Sequence, residues 1–206
     1  MAKYKVTLTN GNEKLGMIKN FSVPAGVTCN PDAPCNCDKG GGCYARKGTF
    51  LFKNVKECHM NNLKAFNDDS EDFKEQFLNQ LPLRGYARVH VGGDFISMDY
   101  LKTIIDIIKN AKGVKFLAYT KQYDIINNYV AEGGKIPKNM KVIFSAWNGF
   151  ELNNPYNFPV SYVKDKKNLD SRIPKKAFLC GSKGKCDTCY YCWDMRKGQA
   201  VLFEKH

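Results

Sequence analysis

Eight of the nine cysteines in this 206-residue chain fall into two short clusters, a density of thiols that could bind metal. The first cluster has the spacing C-x5-C-x-C-x5-C, and the second has the spacing C-x5-C-x2-C-x2-C. The first comprises Cys29, Cys35, Cys37 and Cys43, and the second comprises Cys180, Cys186, Cys189 and Cys192. The opening residues lack the apolar core of a signal peptide, which predicts a cytosolic protein, where clustered cysteines indicate metal before disulfides. A disulfide framework would require secretion by an unusual route.

The second cluster favours an iron–sulfur cluster over zinc. Its C-x2-C-x2-C run lets three thiolates converge on one face of a [4Fe–4S] cubane, as in bacterial ferredoxins. Zinc ribbons instead use two separated C-x2-C pairs, so zinc remains the alternative. Tyr190, Tyr191 and Trp193 lie among these cysteines and would shield a cluster from solvent.

The first cluster lies in a loop containing glycines and prolines that could wrap around a metal. Three of its thiols could bind a [4Fe–4S] cluster with one open iron, or all four could close the site. A single mixed site, built from Cys35 and Cys37 with Cys186 and Cys189, is a further arrangement. The sequence therefore predicts one or two clusters, whereas the ninth cysteine, Cys58, is interpreted as a small buried hydrophobe on a helix.

The middle of the chain alternates between strand-like and helix-like patterns. Apolar runs predict strands at 86–95, 114–121 and 141–148, and 3.6-residue periodicity predicts helices with Ser70 and Ser97 as N-caps. Such alternation implies parallel strands joined by right-handed crossovers, and the chain is short for the eight units of a full barrel. The expected fold class is therefore α/β, with an open or partial βα barrel.

We expect a single metal-binding α/β domain over residues 1–206. An N-terminal hairpin would precede the first cysteine loop, and a cysteine-rich C-terminal segment would follow the core. The expected parts are the first cysteine loop at 29–45, the βα core at about 50–150 and the C-terminal cysteine cluster at 180–193.

Polar residues follow the predicted strands at their carboxyl ends, where ligands bind in parallel α/β sheets. The first cysteine loop follows an earlier strand, so it should lie at the same end. The candidates for holding a cofactor are Gly92, Gly93, Asp94, Ser145 and Trp147, and the candidate catalytic residues are Arg88, His90, Asp94 and Lys121. Arg88 and His90 alternate with apolar residues, so both should point to the same side of their strand. The catalytic candidates would position a substrate or move protons.

The strand-end residues also have purely structural interpretations. The Gly-Gly-Asp run is a common turn signal. A lone buried histidine is usually a hydrogen-bonded core residue, and Asp94 with Lys121 could form a stabilising ion pair. The sequence leaves these alternatives open.

The chain carries a formal net charge of +12, mostly from lysine. This charge indicates either a solvated lysine surface or attraction to nucleic acid or another polyanion. Two four-thiolate sites at about −2 each would lower it to roughly +8, which is still basic. No apolar run approaches the roughly 18 residues that span a bilayer, so we expect no membrane partner and a cytoplasmic location.

Several motifs resemble those of the bacteriophage "gene product 88" family. The stretches "FSVPAGVTC", "CYA", "RVHVGGDF", "YTK", "PKNMKVIFSAW" and "KCDTCYYCW" occur in the family's order, over roughly residues 15 to 206. The resemblance implies a phage or prophage origin, and hence the host cytoplasm, more than it implies a reaction.

The layout is also distantly similar to that of radical SAM enzymes, which hold a [4Fe–4S] cluster in a cysteine loop after the first strand. By that resemblance Gly92, Gly93 and Asp94 would contact S-adenosylmethionine, and Ser145 or Trp147 would line the cavity. The second cysteine cluster would resemble an auxiliary cluster. The chain departs from that family in lacking its C-x3-C-x2-C spacing.

Three hypotheses about function follow. The first is an iron–sulfur enzyme of redox or radical type. The second is a nucleic-acid-binding protein of phage replication or host takeover, with structural zinc or iron–sulfur sites. The third is an inhibitor of a host protein.

Overall fold

The computed structural model describes residues 3–36, 42–164 and 170–204, so Cys37 lies outside the described residues. Its described part contains one seven-stranded sheet in which every pairing is parallel. The strands are β1 Lys19–Phe21, β2 Gly85–Val89, β3 Val114–Thr120, β4 Met140–Ser145, β5 Val160–Lys164, β6 Phe178–Leu179 and β7 Ala200–Glu204. Their order across the sheet is β1-β2-β3-β4-β5-β7-β6, and the sheet is open. The expected parallel α/β architecture is therefore confirmed.

Four longer helices cover one face of this sheet. The helices are α1 Lys53–Asp68, α2 Ser70–Leu78, α3 Met98–Asn110 and α4 Tyr123–Ala131, followed by the short α5 Cys186–Cys189 and α6 Tyr191–Asp194. The first four strands lie side by side in chain order, so successive crossovers of one hand place their helices on one side. Phe77 of α2, Ile104 of α3 and Ile126 of α4 accordingly share one apolar core with Phe116 of β3.

The C-terminal segment covers the opposite face. Leu117 of β3 and Ile143 of β4 point to this face and pack with Trp193 and Met195. The indole of Trp193 is hydrogen-bonded to backbone carbonyls of β2 and β3, with Nε1 3.2 Å from the Lys115 oxygen. The second cysteine cluster thus packs directly on the sheet.

The expected N-terminal hairpin is wrong. Only an isolated antiparallel bridge joins Thr9 to Asn20. Side chains from α2 and from the turn after it bond this segment instead. Gln76 of α2 accepts a hydrogen bond from the Val6 N–H at 2.9 Å, and Gln80, two residues beyond α2, donates to the Val6 carbonyl at 3.0 Å. Once these glutamines satisfy the buried peptide groups, a paired strand is no longer required.

The helix starts follow capping chemistry. Ser97 caps α3 as expected and accepts a hydrogen bond from the Tyr100 N–H at 3.1 Å. The expected cap Ser70 is instead the first residue of α2, and Asp69 caps the helix by accepting from the N–H groups of Glu71 and Asp72. Within the described ranges, no helix is long and apolar enough to cross a membrane.

Candidate metal centres and the strand-end site

The first cysteine loop lies at the carboxyl ends of the strands, as expected from its position after β1. The loop packs closely on the residues that follow β2, and the Val23 N–H donates to the Gly92 carbonyl at 3.1 Å. Gly93 has a φ of +79°, and a Cβ there would lie 2.5 Å from the Val23 side chain and 2.6 Å from the Thr28 hydroxyl. A glycine is needed at position 93 for both its backbone conformation and this close approach.

Asp94 is hydrogen-bonded to Thr28, just before the first cysteine loop, and to the residues that follow β2 and β3. Its carboxylate accepts hydrogen bonds from the N–H groups of Phe95 and Lys121, both at 2.8 Å, and its own N–H donates to the Thr28 hydroxyl at 3.2 Å. Burial raises the pKa of Asp94 to about 6, against these hydrogen bonds and a further one from Thr120, which lower it. This geometry fits the interpretation of the Gly-Gly-Asp run as a turn. Asp94 accepts a hydrogen bond from the backbone N–H of Lys121.

Three thiols of the first cluster come together beside this junction. We call Cys29, Cys35 and Cys43 the loop thiols. Burial raises the pKa of Cys29 to about 11, and the neighbouring charges of Asp94, Cys43 and Cys35 also raise it. Burial likewise raises the pKa of Cys35, whereas the nearby Lys121 ammonium lowers it. The sequence therefore placed these three cysteines, an acid and a lysine correctly at one end of the sheet.

The other strand-end candidates surround the same place. The Lys121 ammonium lies 5.4 Å from the centre of the Trp147 ring. The Ser145 carbonyl accepts a hydrogen bond from the Tyr123 hydroxyl at 2.5 Å, and its hydroxyl lies 3.2 Å from that of Ser161. The Trp147 ring thus lies beside the Lys121 ammonium, whereas Ser145 is hydrogen-bonded to Tyr123 and Ser161.

Arg88 and His90 lie on opposite faces of the sheet, so the prediction that they share a side is wrong. β2 ends at Val89, and His90 has a φ of +63°, which breaks the alternation of side chains. The His90 ring enters the helix-side core, where Nε2 lies 2.9 Å from the Tyr100 hydroxyl. The Arg88 guanidinium lies on the other face, 4.9 Å from the centre of the Tyr119 ring.

The environment of His90 fits a neutral core residue. Burial lowers its pKa to about 3, and the positive charge of Arg88 lowers it further. Its Nδ1 is buried and has no hydrogen-bond partner among the described residues. A histidine with this pKa is a neutral imidazole near neutral pH and lacks the second, acidic proton, so His90 is a poor candidate for a general acid.

Four thiols of the second cluster form a separate group on the face opposite the helices. We call Cys180, Cys186, Cys189 and Cys192 the C-terminal thiols. The first follows β6, and Tyr190 and Tyr191 separate the last two. The left-handed conformation of Tyr190 (φ +48°) ends α5 before α6 begins. Tyr190 stacks on Tyr86 with ring centres 4.1 Å apart, and Tyr191 stacks on Phe178 at 3.9 Å. The rings of Tyr190 and Tyr191 therefore pack on the same face as Cys180, Cys186 and Cys192, and shielding of a cluster stays a prediction.

The C-terminal thiols influence one another electrostatically. Burial raises the pKa of Cys192 to about 12, and the charges of Cys180 and Cys186 also raise it, whereas a hydrogen bond to the Tyr119 hydroxyl lowers it. Burial raises the pKa of Cys186 too, and the Arg88 guanidinium lowers it. Cys35 and Cys186 have different charged neighbours. The mixed site also includes Cys37, which lies outside the described residues, so it stays a prediction.

Arg88 is the cation of the C-terminal thiols. Its Nη2 donates to the Tyr44 hydroxyl at 3.3 Å, but its Nε is enclosed and has no hydrogen-bond partner among the described residues. None of the ion pairs in the described part of the chain involves Arg88. The groups of potential negative charge around it are the hydroxyls of Tyr44 and Tyr119 and the thiols of Cys186 and Cys192.

Both groups have the donor chemistry of a metal–thiolate site, and their described cysteines are free thiols. As they stand, no three Cys, His, Asp or Glu side chains of the described ranges converge closely enough to hold a metal ion. The direction of each thiol is set by one torsion, χ1, with three staggered positions. Cys58 belongs to neither cluster and is half-buried on α1, less enclosed than expected.

Comparison with known proteins identifies the family. A model of the family described as "Gene product 88" matches residues 2–195. The chain belongs to the gene product 88 family. This confirms the resemblance to a bacteriophage family, over nearly the whole chain. No curated protein and no solved structure matches the chain, so the similarity to radical SAM enzymes is not shown.

Sequence reasoning missed two residues of this gene product 88 protein. Tyr44 and Tyr119 both contact Arg88, and Tyr119 also contacts Cys192. Tyr119 alternates with the apolar residues of β3, which was a signal that it faces the side opposite the helices. Tyr44 follows Cys43 in a loop, where no periodicity indicates the direction of a side chain.

Proposed function

We propose that this protein is an iron–sulfur enzyme of redox or radical type. The C-terminal thiols would hold a closed [4Fe–4S] cluster, and the loop thiols would hold a second one at the strand ends. Iron–sulfur clusters supply one-electron chemistry, and the protein contributes binding, orientation and electrostatics.

The observation that carries the proposal is the surroundings of Arg88. An enclosed guanidinium without an anionic partner costs free energy, because its charge has lost part of its hydration. Four thiolates on a [4Fe–4S] cluster have a net charge of about −2 and would supply the missing counter-charge. A neutral set of thiols would leave Arg88 uncompensated, so the arrangement suits an anionic centre.

The spacing of the C-terminal cysteines favours iron–sulfur over zinc. A four-thiolate zinc site also has a net charge of about −2, so Arg88 suits both. The C-x2-C-x2-C run and the stacked rings of Tyr190 and Tyr191 favour the iron–sulfur cluster. Zinc remains the alternative metal for these thiols.

The strand-end site is where we propose that substrate chemistry occurs. Three loop thiols suit a cluster with one open iron, and Lys121 supplies a positive charge beside Cys35. The Lys121 ammonium would bind an anionic group of a substrate, with the Trp147 ring as an adjacent wall. The Asp94 carboxylate would position Lys121 by accepting a hydrogen bond from its backbone N–H.

Binding of S-adenosylmethionine stays a prediction on which this proposal does not depend. The Gly92 N–H already donates to the Ser22 hydroxyl at 3.0 Å, and its carbonyl accepts from Val23. The Asp94 carboxylate is occupied by two N–H groups. Nucleic-acid binding and host-protein inhibition also stay predictions, since no described geometry favours either of them over an enzyme.

The proposal is tested by purifying the protein without oxygen and measuring iron, sulfide, zinc and the visible spectrum. We expect a brown protein with sulfide equal to iron. Cys189→Ser should remove the iron of the C-terminal centre, whereas Cys58→Ser is the matched control that retains it. A colourless protein with stoichiometric zinc would overturn the proposal, as would a Cys189→Ser variant with unchanged iron.

A further inference from the structure

We infer that Arg172 is a positioning residue of the strand-end site, because it fixes the turn that carries Trp147 and so holds the indole beside the Lys121 ammonium. The role of this site in binding an anionic substrate rests on the proposed function. The position of the indole is tested without a substrate, so the two proposals can fail separately.

Arg172 is hydrogen-bonded to both ends of the turn 147–150. Its Nη2 donates to the Trp147 carbonyl at 2.8 Å, and its Nη1 donates to the Phe150 carbonyl at 2.9 Å. The Phe150 N–H closes the turn by donating to the Trp147 carbonyl at 3.1 Å, and Gly149 has a φ of +76°. Residues 148 and 149 are exposed. Arg172 therefore joins an exposed turn to a part of the chain more than 20 residues away.

Asp170 holds the Arg172 guanidinium in the orientation that these bonds require. The two oxygens of its carboxylate accept from Nε at 2.9 Å and from Nη2 at 2.7 Å. The Asp170 side chain is only 5% exposed. A bidentate pair fixes the plane of the guanidinium, whose forked donors can then reach several acceptors at once. Because the carboxylate neutralises the guanidinium, the pair adds no net charge to the site.

Lys121 is fixed through its backbone. Its N–H donates to the Asp94 carboxylate at 2.8 Å, and its carbonyl accepts from Asn30 Nδ2 at 3.1 Å. The Lys121 ammonium lies 5.4 Å from the centre of the Trp147 ring. None of the ion pairs between described residues involves this ammonium. The site thus presents a cation and an indole in a fixed arrangement, which suits an anionic ligand.

The shape of the guanidinium is essential to this arrangement. A lysine at position 172 would keep the positive charge, but its single nitrogen cannot occupy the positions of the three guanidinium nitrogens. It could not bond the Trp147 and Phe150 carbonyls and both Asp170 oxygens together. In Arg172→Lys we therefore expect the turn to lose its fixed position and the indole to spend less time beside Lys121.

Quenching of tryptophan fluorescence measures the position of the indole in the full chain purified without oxygen. Iodide is an anion, so the Lys121 ammonium should make it a better quencher of Trp147 relative to neutral acrylamide. The other tryptophan, Trp193, is 5% exposed and contributes little. The measured quantity is the ratio of the iodide to the acrylamide quenching constant at fixed ionic strength. Lys121→Met should lower this ratio about twofold, since solvent and salt screen part of the attraction.

Arg172→Lys should lower the ratio by a similar factor although the charge is kept. The matched control, Arg84→Lys at an exposed position before β2, should leave it unchanged. Asp170→Asn separates positioning from charge, and it remains informative if Arg172→Lys does not fold. Without its carboxylate partner Arg172 would attract iodide, so an effect of charge alone raises the ratio, whereas loss of positioning lowers it. An unchanged ratio in Lys121→Met or in folded Arg172→Lys would overturn the inference, as would a raised ratio in Asp170→Asn.

Iron and sulfide measured in the same samples distinguish the two proposals. If the chain holds no iron but the ratio falls as expected, the proposed function fails and the positioning of Trp147 by Arg172 is supported. If the chain holds iron and sulfide but the ratio is unchanged in Arg172→Lys, this inference alone fails.

Discussion

Arg88 and Tyr44 are hydrogen-bonded to each other at 3.3 Å, although they come from different parts of the chain. Arg88 lies on β2 and faces the C-terminal thiols, whereas Tyr44 follows the last cysteine of the first loop. The contact joins the two cysteine clusters, which are about 140 residues apart in sequence. The contact therefore links the loop that carries Cys43 to strand β2.

Loading with metal should stabilise the protein. Binding only to the folded state at 100 times the dissociation constant contributes about 2.7 kcal/mol, which corresponds to a Tm increase of about 5–10 °C for a chain of this size. Circular dichroism melting curves of the apo and the reconstituted chain measure the increase. A variant with both Cys186→Ser and Cys189→Ser should show a smaller one. Equal Tm values for the apo and the loaded wild-type chain would contradict the prediction.

Asp94 should make stability depend on pH. Its pKa is raised from 3.8 to about 6 in the folded state, so the folded chain binds more protons than the unfolded chain between these values. The stabilisation is thus fully present below about pH 4 and is lost as pH rises through about 6, with a total of about 2 to 3 kcal/mol. Urea unfolding from pH 4 to 7.5 measures the slope.

Two asparagine variants test whether Asp94 causes this pH dependence of stability. Asp94→Asn should remove the dependence and also cost about 1 to 3 kcal/mol, because an amide cannot accept all the hydrogen bonds of the carboxylate. Asp99→Asn, at an exposed position of α3, should retain the dependence. The same slope in Asp94→Asn as in the wild type would show that another group titrates.

Gly93→Ala should be strongly destabilising. The new Cβ would lie 2.5 Å from Val23, at a φ of +79° that side chains rarely adopt. Gly133→Ala is a matched control, because its φ is +86° and no atom lies within 4 Å of the new Cβ. We expect the control to cost about 1 to 2 kcal/mol and Gly93→Ala to cost more, about 3 kcal/mol or above, in urea unfolding. Equal costs would show that the contact with Val23 is unimportant.

Lys121 should control the reactivity of Cys35 in the apo protein. The Lys121 ammonium lowers the pKa of this thiol, so Lys121→Met should raise it and reduce the thiolate fraction. Alkylation of Cys35 by iodoacetamide, followed by peptide mass spectrometry, should become several-fold slower at pH 8. Lys102→Met, on the exposed side of α3, should leave the rate unchanged. An unchanged rate in Lys121→Met would place the two groups too far apart to interact.

Much of the fold could be predicted from local patterns. The strand predicted at 114–121 is observed at Val114–Thr120, and that predicted at 141–148 is observed at Met140–Ser145. These strands alternate with helices whose periodicity is strong, so their direction and parallel pairing follow from connectivity. The prediction of an N-terminal hairpin was wrong because Gln76 of α2 and Gln80 of the following turn, both distant in sequence, bond the Val6 backbone.

The candidate site was predicted in part. The loop thiols, Asp94 and Lys121 come together because parallel strands place their carboxyl ends at one edge. Arg88 and His90 lie on opposite faces of the sheet because His90 has a positive φ. The alternation of apolar and polar residues does not predict that angle. Tyr44 could not be assigned, since its contact depends on how a loop folds over β2.

By itself, the sequence determined the two four-cysteine clusters, the basic charge, the parallel α/β class and the resemblance to a family. These properties depend on residue types, spacing and local periodicity. Only the tertiary structure decided that the C-terminal thiols lie on the face opposite the helices. It also decided that Arg88 lies on that face and is hydrogen-bonded to Tyr44. Those contacts join residues distant in sequence, and their geometry follows from sheet order and packing.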